Sequence, residues 1–219
     1  MKSPKLFLFI AGSVIFALAL CRSVLAHPHM WIDLKTDVIF EETDKIVAIY
    51  QEWLFDDFYS TALLEDAAKH PDGSEQGLHE EISAILSGLH SWNYFTQITV
   101  DTTEITAKKV QHFETEVREN RVWVSFTTYL ETPVLARTQN FSYSIFDPTY
   151  YIEMYHFEEA VIGFRGDTPT GCRSEIRQPD PSSEAISLSQ SPVLDTQPDV
   201  SIGQLFAEIV TVSCRYQPP

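Results

Sequence analysis

The sequence is short of glycine and lacks the common signatures of catalysis. It has 8 glycines among 219 residues, and none of them forms the glycine-rich loop that cradles the phosphates of a nucleotide. The patterns Gly-x-Ser-x-Gly, His-Glu-x-x-His and Cys-x-x-Cys do not occur either. These absences favour a binding protein over an enzyme.

Basic residues are also scarce, because 15 Lys and Arg stand against 31 Asp and Glu, a formal net charge of −16. So acidic a surface is repelled by phosphate backbones and raises the local concentration of cations. Nucleic acid is therefore excluded as a partner. Hydrophobic residues make up 44% of the chain, which is enough for a packed core and argues against a disordered acidic polymer.

Long apolar runs are limited to Leu6–Leu20, which at fifteen residues is too short for an easy bilayer span. Two lysines precede this run, and Val24 and Ala26 occupy the −3 and −1 positions of a cut after Ala26. We predict that residues 1–26 are a cleaved signal peptide, with a retained membrane anchor as the alternative. Residues 27–219 are then expected to be soluble outside the cytoplasm, with no stable membrane anchor.

Few cysteines are present, and two would remain after the cut, Cys172 and Cys214. An even count in an oxidising compartment indicates one disulfide bond. It would close a loop of about 40 residues and contribute on the order of 3–4 kcal/mol, mostly by restricting the unfolded chain. A pair of thiolate metal ligands is the alternative.

Hydrophobic periodicity predicts one α+β domain over residues 27–219. Alternating residues indicate a β-hairpin between positions 29 and 53, three-and-four spacing indicates two helices between 55 and 90, and strands dominate from 95 to 157. Residues 166–201 carry five prolines among Ser, Asp and Gln and are predicted to be a long irregular loop. The expected fold is a mostly antiparallel β-sheet with an early helical hairpin and a long Pro/Ser-rich loop tethered by the disulfide.

The sharpest chemical signal is the predicted mature amino terminus, His27-Pro28-His29. An amino-terminal histidine offers its free amine and its ring Nδ1 to one cation, and His29 points to the same side of an extended chain. Pro28 stiffens the chain and has no N–H, so the square-planar amide chelate of copper and nickel cannot form. Imidazole, amine and carboxylate ligands remain, and these suit Zn²⁺, Cu²⁺ or Ni²⁺.

A transition-metal site needs three or four ligands. Asp33 shares a strand face with His29. The predicted hairpin also brings the end of its second strand near the histidines, together with three carboxylates: Glu52, Asp56 and Asp57. The competing interpretations are that Asp56 and Asp57 stabilise the start of a helix and that the histidines are ordinary polar residues at a terminus.

Several segments, in this order, resemble the domain of unknown function 1007 (DUF1007) family: His27–Asp33, Trp53–Ser60, Asn93–Thr96, Phe146–Ile152 and residues 202–214. The resemblance implies an exported periplasmic protein that belongs to an uncharacterised metal transport system. It also implies zinc binding and an inner-membrane permease of the nickel/cobalt-efflux type as partner. The histidine motif of the family falls on His27 and His29, and its Phe-Asp-x-x-Tyr motif falls on Phe55, Asp56 and Tyr59.

The leading hypothesis is thus a periplasmic divalent-metal-binding protein, for Zn²⁺ first and for Ni²⁺ or Co²⁺ as alternatives. Its ligands would be His27 and His29, with Asp33 or Asp56 supplying oxygen. Two other hypotheses stay open. One is a copper enzyme with an amino-terminal histidine brace, completed by His29 or His156. The other is a module that docks an envelope partner without binding metal.

Overall fold

The structure is a computed structural model that describes residues 28–42, 44–157, 162–191 and 201–214. The predicted signal peptide and His27 lie outside these described residues. No helix in the described part of the chain is long and apolar enough to cross a membrane.

Strands make up most of the regular secondary structure in the described chain. In chain order they are β1 (Met30–Glu41), β2 (Lys45–Phe55), β3 (Thr96–Val100), β4 (Thr103–Ile105), β5 (Phe113–Arg118), β6 (Arg121–Leu135), β7 (Phe141–Ile145), β8 (Ile152–His156), β9 (Gly163–Gly166), β10 (Arg173–Arg177) and β11 (Ile209–Ser213). The helices are α1 (Asp57–Ala67), α2 (Ser74–Leu89) and α3 (Ser183–Ser189), with 3₁₀ turns at His90–Phe95 and Gly203–Phe206.

The strands form two sheets. The first has the order β5-β6-β2-β1-β8, and β9 pairs with β1 beyond the end of β8. The second has the order β10-β11-β7-β3-β4. All pairs are antiparallel except those that β1 makes with β8 and β9, which are parallel. The predicted mostly antiparallel α+β architecture is confirmed, and its strands divide between two sheets.

The predicted hairpin is β1 paired with β2, in a register that places Ile32 opposite Phe55. Alternation along the start of β1 buries Ile32 and Leu34 and leaves Trp31 and Asp33 on the outer face. The core centres on Trp53, whose ring contacts Phe126 at 5.0 Å between centroids. The indole N–H is satisfied inside the core, because it donates to Gln51 Oε1 at 3.0 Å.

The helical hairpin is also confirmed, and it inserts between β2 and β3 as α1 and α2. The two helices approach closely at Gly77, where an added Cβ would lie 2.4 Å from the carbonyl oxygen of Ala67. A glycine is therefore needed at this contact. The chain enters α2 through Gly73, whose φ of 99° is a conformation that favours glycine.

The Cys172–Cys214 disulfide is confirmed, but the predicted long loop over residues 166–201 is not. Strand β10 follows Cys172 directly and pairs with β11, and Ser182 caps α3 by accepting from the N–H of Ala185 at 3.2 Å. The composition misled the prediction, because two of its prolines fall between β10 and α3, where no ladder hydrogen bond is needed. Residues 192–200 lie outside the described part.

Candidate functional site

His29 stands at the start of β1, and its side chain is exposed. Its backbone N–H donates to the carbonyl oxygen of Tyr151 at 2.9 Å, just before β8 begins. The imidazole ring contacts the Tyr151 ring, with 5.0 Å between centroids. Tyr151 therefore fixes His29 at the end of the first sheet through a backbone hydrogen bond and a ring contact.

Asp56 joins the start of β1 to the start of α1. Its Oδ1 accepts from the N–H of Tyr59 at 2.8 Å, which caps the helix. Its Oδ2 accepts from the N–H of Trp31 at 2.9 Å, and its own N–H donates back to the Trp31 carbonyl at 3.0 Å. These bonds place the carboxylate beside Trp31, two residues from His29, and they confirm that Asp56 caps the helix. The expected closeness of Asp56 to His27 lies outside the described residues.

The Phe-Asp-x-x-Tyr motif therefore has a structural role. Phe55 is buried, Asp56 caps α1, and the Tyr59 ring packs on Phe55 at 5.5 Å between centroids. Burial, followed by the nearby Glu81 and Tyr151, raises the pKa of Tyr59. The phenol hence stays protonated at neutral pH and is a poor metal ligand.

Asp33 lies on the outer face of β1, and its Oδ2 accepts from Arg121 Nη2 at 2.7 Å. Four residues of extended chain place it about 13 Å along the strand from His29, with Trp31 between them. Asp33 is therefore paired with Arg121, whereas Asp56 is bonded to Trp31, two residues from His29.

Glu153 on β8 is a further carboxylate at this end of the sheet, and the sequence analysis missed it. It lies opposite Trp31 in the parallel register, and its Oε2 accepts from the Trp31 indole at 2.8 Å. Its Oε1 accepts from the Tyr150 hydroxyl at 3.1 Å. Burial and the carboxylate of Glu153 raise the pKa of Tyr155 to about 12. The segment Phe146–Ile152, which leads into β8, was the available signal. Five residues form this site, hereafter the His29 corner: His29, Trp31, Asp56, Tyr151 and Glu153.

The remaining described histidines lie elsewhere. His156 is buried, and its ring joins Thr36 and Glu208 rather than the His29 corner. The others are His79 stacked on Phe113, His70 beside Glu80, His90 beside Tyr94, and His112 on the surface. Within the described ranges, no three His, Cys, Asp or Glu side chains stand together as a metal site. His29 and the nearby carboxylates would need His27 to complete one.

The fold and this corner define an α+β protein of two β-sheets, with an exposed histidine anchored where the first strand begins. Residues 12–214 match the family described as "Protein of unknown function (DUF1007)", and the chain belongs to that family. It is also similar to a protein of Haemophilus influenzae (strain ATCC 51907 / DSM 11121 / KW20 / Rd) described as an uncharacterized protein. The two are 23% identical over 208 residues, which cover 93% of this chain and 98% of that one.

Proposed function

We propose that this chain is a periplasmic protein that binds a divalent transition metal, Zn²⁺ first and Ni²⁺ or Co²⁺ as alternatives. In this proposal it buffers or delivers the metal, as the soluble component of a transport system, to an inner-membrane permease of the nickel/cobalt-efflux type. The observation that carries the proposal is the exposed and anchored imidazole of His29, immediately before β1.

Anchoring matters because a ligand that is already ordered loses less conformational entropy when it binds. The backbone hydrogen bond to Tyr151 fixes where β1 begins, and the Tyr151 ring limits the orientations of the imidazole. Cleavage after Ala26 would place the amine and ring of His27 two residues away from this fixed group. Together the two histidines would supply three nitrogen ligands.

Asp56 is the better oxygen ligand of the two predicted carboxylates. Each of its oxygens accepts one backbone N–H and keeps a second lone pair for a cation. Asp33 would first have to leave Arg121. The metal's coordination shell would consist of ligands from the chain terminus and the Asp56 carboxylate, which also accepts backbone N–H groups. Such a shell leaves a coordination position open, and an open position suits exchange of the metal with a partner.

The proposal also bears on the copper-brace hypothesis. A brace completed by His156 is disfavoured, because both ring nitrogens of that buried histidine are already hydrogen-bonded to Thr36 and Glu208. A brace would thus depend on His27 and His29 alone.

The test is calorimetric titration of the exported form with Zn²⁺, Ni²⁺ and Cu²⁺, after mass spectrometry has identified its first residue. We expect His29→Ala to weaken Zn²⁺ binding by about tenfold or more, because one of three or four ligands is lost. His112→Ala is the matched control, since it removes an exposed histidine from another surface.

Unchanged Zn²⁺ affinity in the His27→Ala, His29→Ala double variant would contradict the proposal and favour the docking module instead. Oxidative turnover by the copper-loaded protein would favour the enzyme.

A further inference from the structure

A second candidate site lies on the other sheet and shares no residue with the His29 corner. It is a cavity of about 470 Å³, within the range of about 300–1,000 Å³ that is typical of small-molecule sites. We call it the Trp92 cavity. The lining residues that matter here are Trp92, Phe95, Gln97, Glu104, Phe146 and Gln204.

One wall of the Trp92 cavity is built from strained backbone. Asn93, Tyr94 and Phe95 follow one another with φ values of 52°, 54° and 58°. Three consecutive residues other than glycine in this conformation cost on the order of 1–3 kcal/mol each. Strain of this kind persists only where the surroundings enforce it, and it occurs often at ligand clamps.

The surroundings do enforce it. Asn93 Oδ1 accepts from the N–H of Ala107 at 2.8 Å, and Asn93 Nδ2 donates to the Thr96 carbonyl. The buried hydroxyl of Tyr94 accepts from the N–H of Val110 at 2.8 Å. The wall is therefore rigid, and it presents the Trp92 side chain with 52% of its surface exposed.

A chain of planar polar groups crosses the cavity. Gln204 Nε2 donates to Gln97 Oε1 at 3.2 Å, and Gln97 Nε2 donates to the Glu104 carboxylate. These bonds fix the orientation of both amides and tie the 3₁₀ turn at Gly203–Phe206 to β3 and β4. Fixed amides beside aromatic rings supply the few well-placed polar groups that give a pocket its specificity.

The charge of the lining limits the ligand. Among the described residues, no Lys, Arg or His belongs to the cavity lining, so an anion would find no counter-charge from this part of the chain. Glu104 is the single carboxylate among the described lining residues, and it already accepts from Gln97. An uncharged ligand that is rich in hydroxyl groups fits best, because hydroxyls can both donate to and accept from the amides. Its C–H faces can lie against the rings of Trp92 and Phe146.

We propose that the Trp92 cavity binds a short neutral saccharide. The ring of Trp92 is the platform on which a sugar ring packs, and Gln97 and Gln204 bind its hydroxyls. This inference is independent of metal binding, because it involves none of the residues of the His29 corner.

Ligand-observed saturation-transfer NMR on the folded protein tests the proposal. The saccharide probes are N,N′-diacetylchitobiose and maltose, the cationic probe is choline, and the anionic probe is benzoate. We expect transfer to at least one saccharide and to neither charged probe. Trp92→Ala should weaken saccharide binding by about tenfold, and Gln97→Ala should also reduce the signal.

Tyr129→Ala is the matched control, since Tyr129 is another exposed aromatic residue (48%), lies on β6 of the first sheet and belongs to neither proposed site. It should leave the saccharide signal unchanged. Circular dichroism and urea unfolding check that each variant folds, as expected for the exposed Trp92. No transfer to either saccharide, a signal that survives Trp92→Ala, or binding of choline alone would overturn the proposal. Unchanged Zn²⁺ affinity in the His27→Ala, His29→Ala double variant would contradict metal binding and leave the saccharide proposal untouched, so the two proposals fail separately.

Discussion

Replacing Glu208 with alanine removes the acceptor at the centre of a buried hydrogen-bonded chain between the two sheets. Glu208 Oε2 accepts from His156 Nδ1 and from the His156 backbone N–H, both at 2.8 Å. Because a carboxylate only accepts, Nδ1 carries the proton, and in the neutral imidazole Nε2 accepts from the Thr36 hydroxyl at 2.9 Å. Thr36 and the Tyr143 hydroxyl lie 2.7 Å apart. The chain joins β1 and β8 of the first sheet to β7 and the residue before β11 of the second.

The size of the stability loss follows from the hydrogen-bond donors that have no acceptor in the Glu208→Ala variant. His156 is 7% exposed, so both of its donors would stay buried without a partner, at about 1–3 kcal/mol each. Gln178 also donates to Glu208, at 2.6 Å, but it is exposed and can turn to water. We therefore expect Glu208→Ala to lower the free energy of unfolding by about 2–5 kcal/mol. That is a large part of the about 5–15 kcal/mol of a typical domain.

Urea unfolding at pH 7, followed by tryptophan fluorescence, measures this loss. Glu175→Ala is the matched control, because Glu175 is an exposed carboxylate on β10 of the second sheet. A surface change of this kind should stay within about 0.5 kcal/mol. A similarly small effect of Glu208→Ala would refute the reasoning.

Acidification gives an independent check through Glu208→Gln. Burial alone would raise the pKa of Glu208, but hydrogen bonds from the His156 side chain and backbone and from Gln178 outweigh it and lower that pKa below its ordinary value of 4.5. The stability contributed by the carboxylate is therefore fully present above pH 4.5 and is lost as the pH falls through the folded-state pKa. The difference in stability between the wild type and Glu208→Gln should shrink over that range. A difference that stays constant during acidification contradicts the assignment.

Two further predictions concern the close backbone contact at Gly203 and the Cys172–Cys214 disulfide bond. An added Cβ at Gly203 would lie 1.9 Å from the carbonyl oxygen of Asp147, so Gly203→Ala should cost about 1–3 kcal/mol or more in urea unfolding. At Gly88 an added Cβ meets nothing within 4 Å, so Gly88→Ala should instead raise the free energy of unfolding by up to about 1 kcal/mol. Equal effects of the two substitutions would refute the expectation for Gly203. Replacing Cys172 and Cys214 with serine should cost about 3–4 kcal/mol, and a reductant should lower the wild type to the same level. A wild type that is insensitive to reductant would contradict this.

Local periodicity predicted the hairpin and both early helices because it depends on residues a few positions apart. The alternation along β1 and the three-and-four spacing of α1 and α2 each report a buried face directly. The disulfide was predicted from cysteine count and compartment alone. The long loop over residues 166–201 is not confirmed, because Arg173–Arg177 and Ser183–Ser189 form β10 and α3. Proline content does not say whether the N–H that each proline lacks falls where the fold needs a hydrogen bond.

The candidate site was predicted only in part. The sequence identified His29 and Asp56, and the pairing of β1 with β2 brings Asp56 to Trp31 across 25 residues of chain. It did not identify Tyr151 or Glu153, because β8 pairs with β1 in parallel across more than a hundred residues, and no short pattern encodes such a contact. The Trp92 cavity was missed for the same reason, since its walls come from four separate segments.

The sequence by itself determined the local elements, the acidic surface, the histidine pattern and the side chains available for chemistry, because each is a property of neighbouring residues or of composition. Only the tertiary structure decided how those side chains are used. Asp33 is tied to Arg121 and Glu208 to His156, although 88 and 52 residues of chain separate the partners. The physical reason is that strand order and register set which distant groups meet, and a buried or paired carboxylate then has its hydrogen bonds assigned by the packing around it.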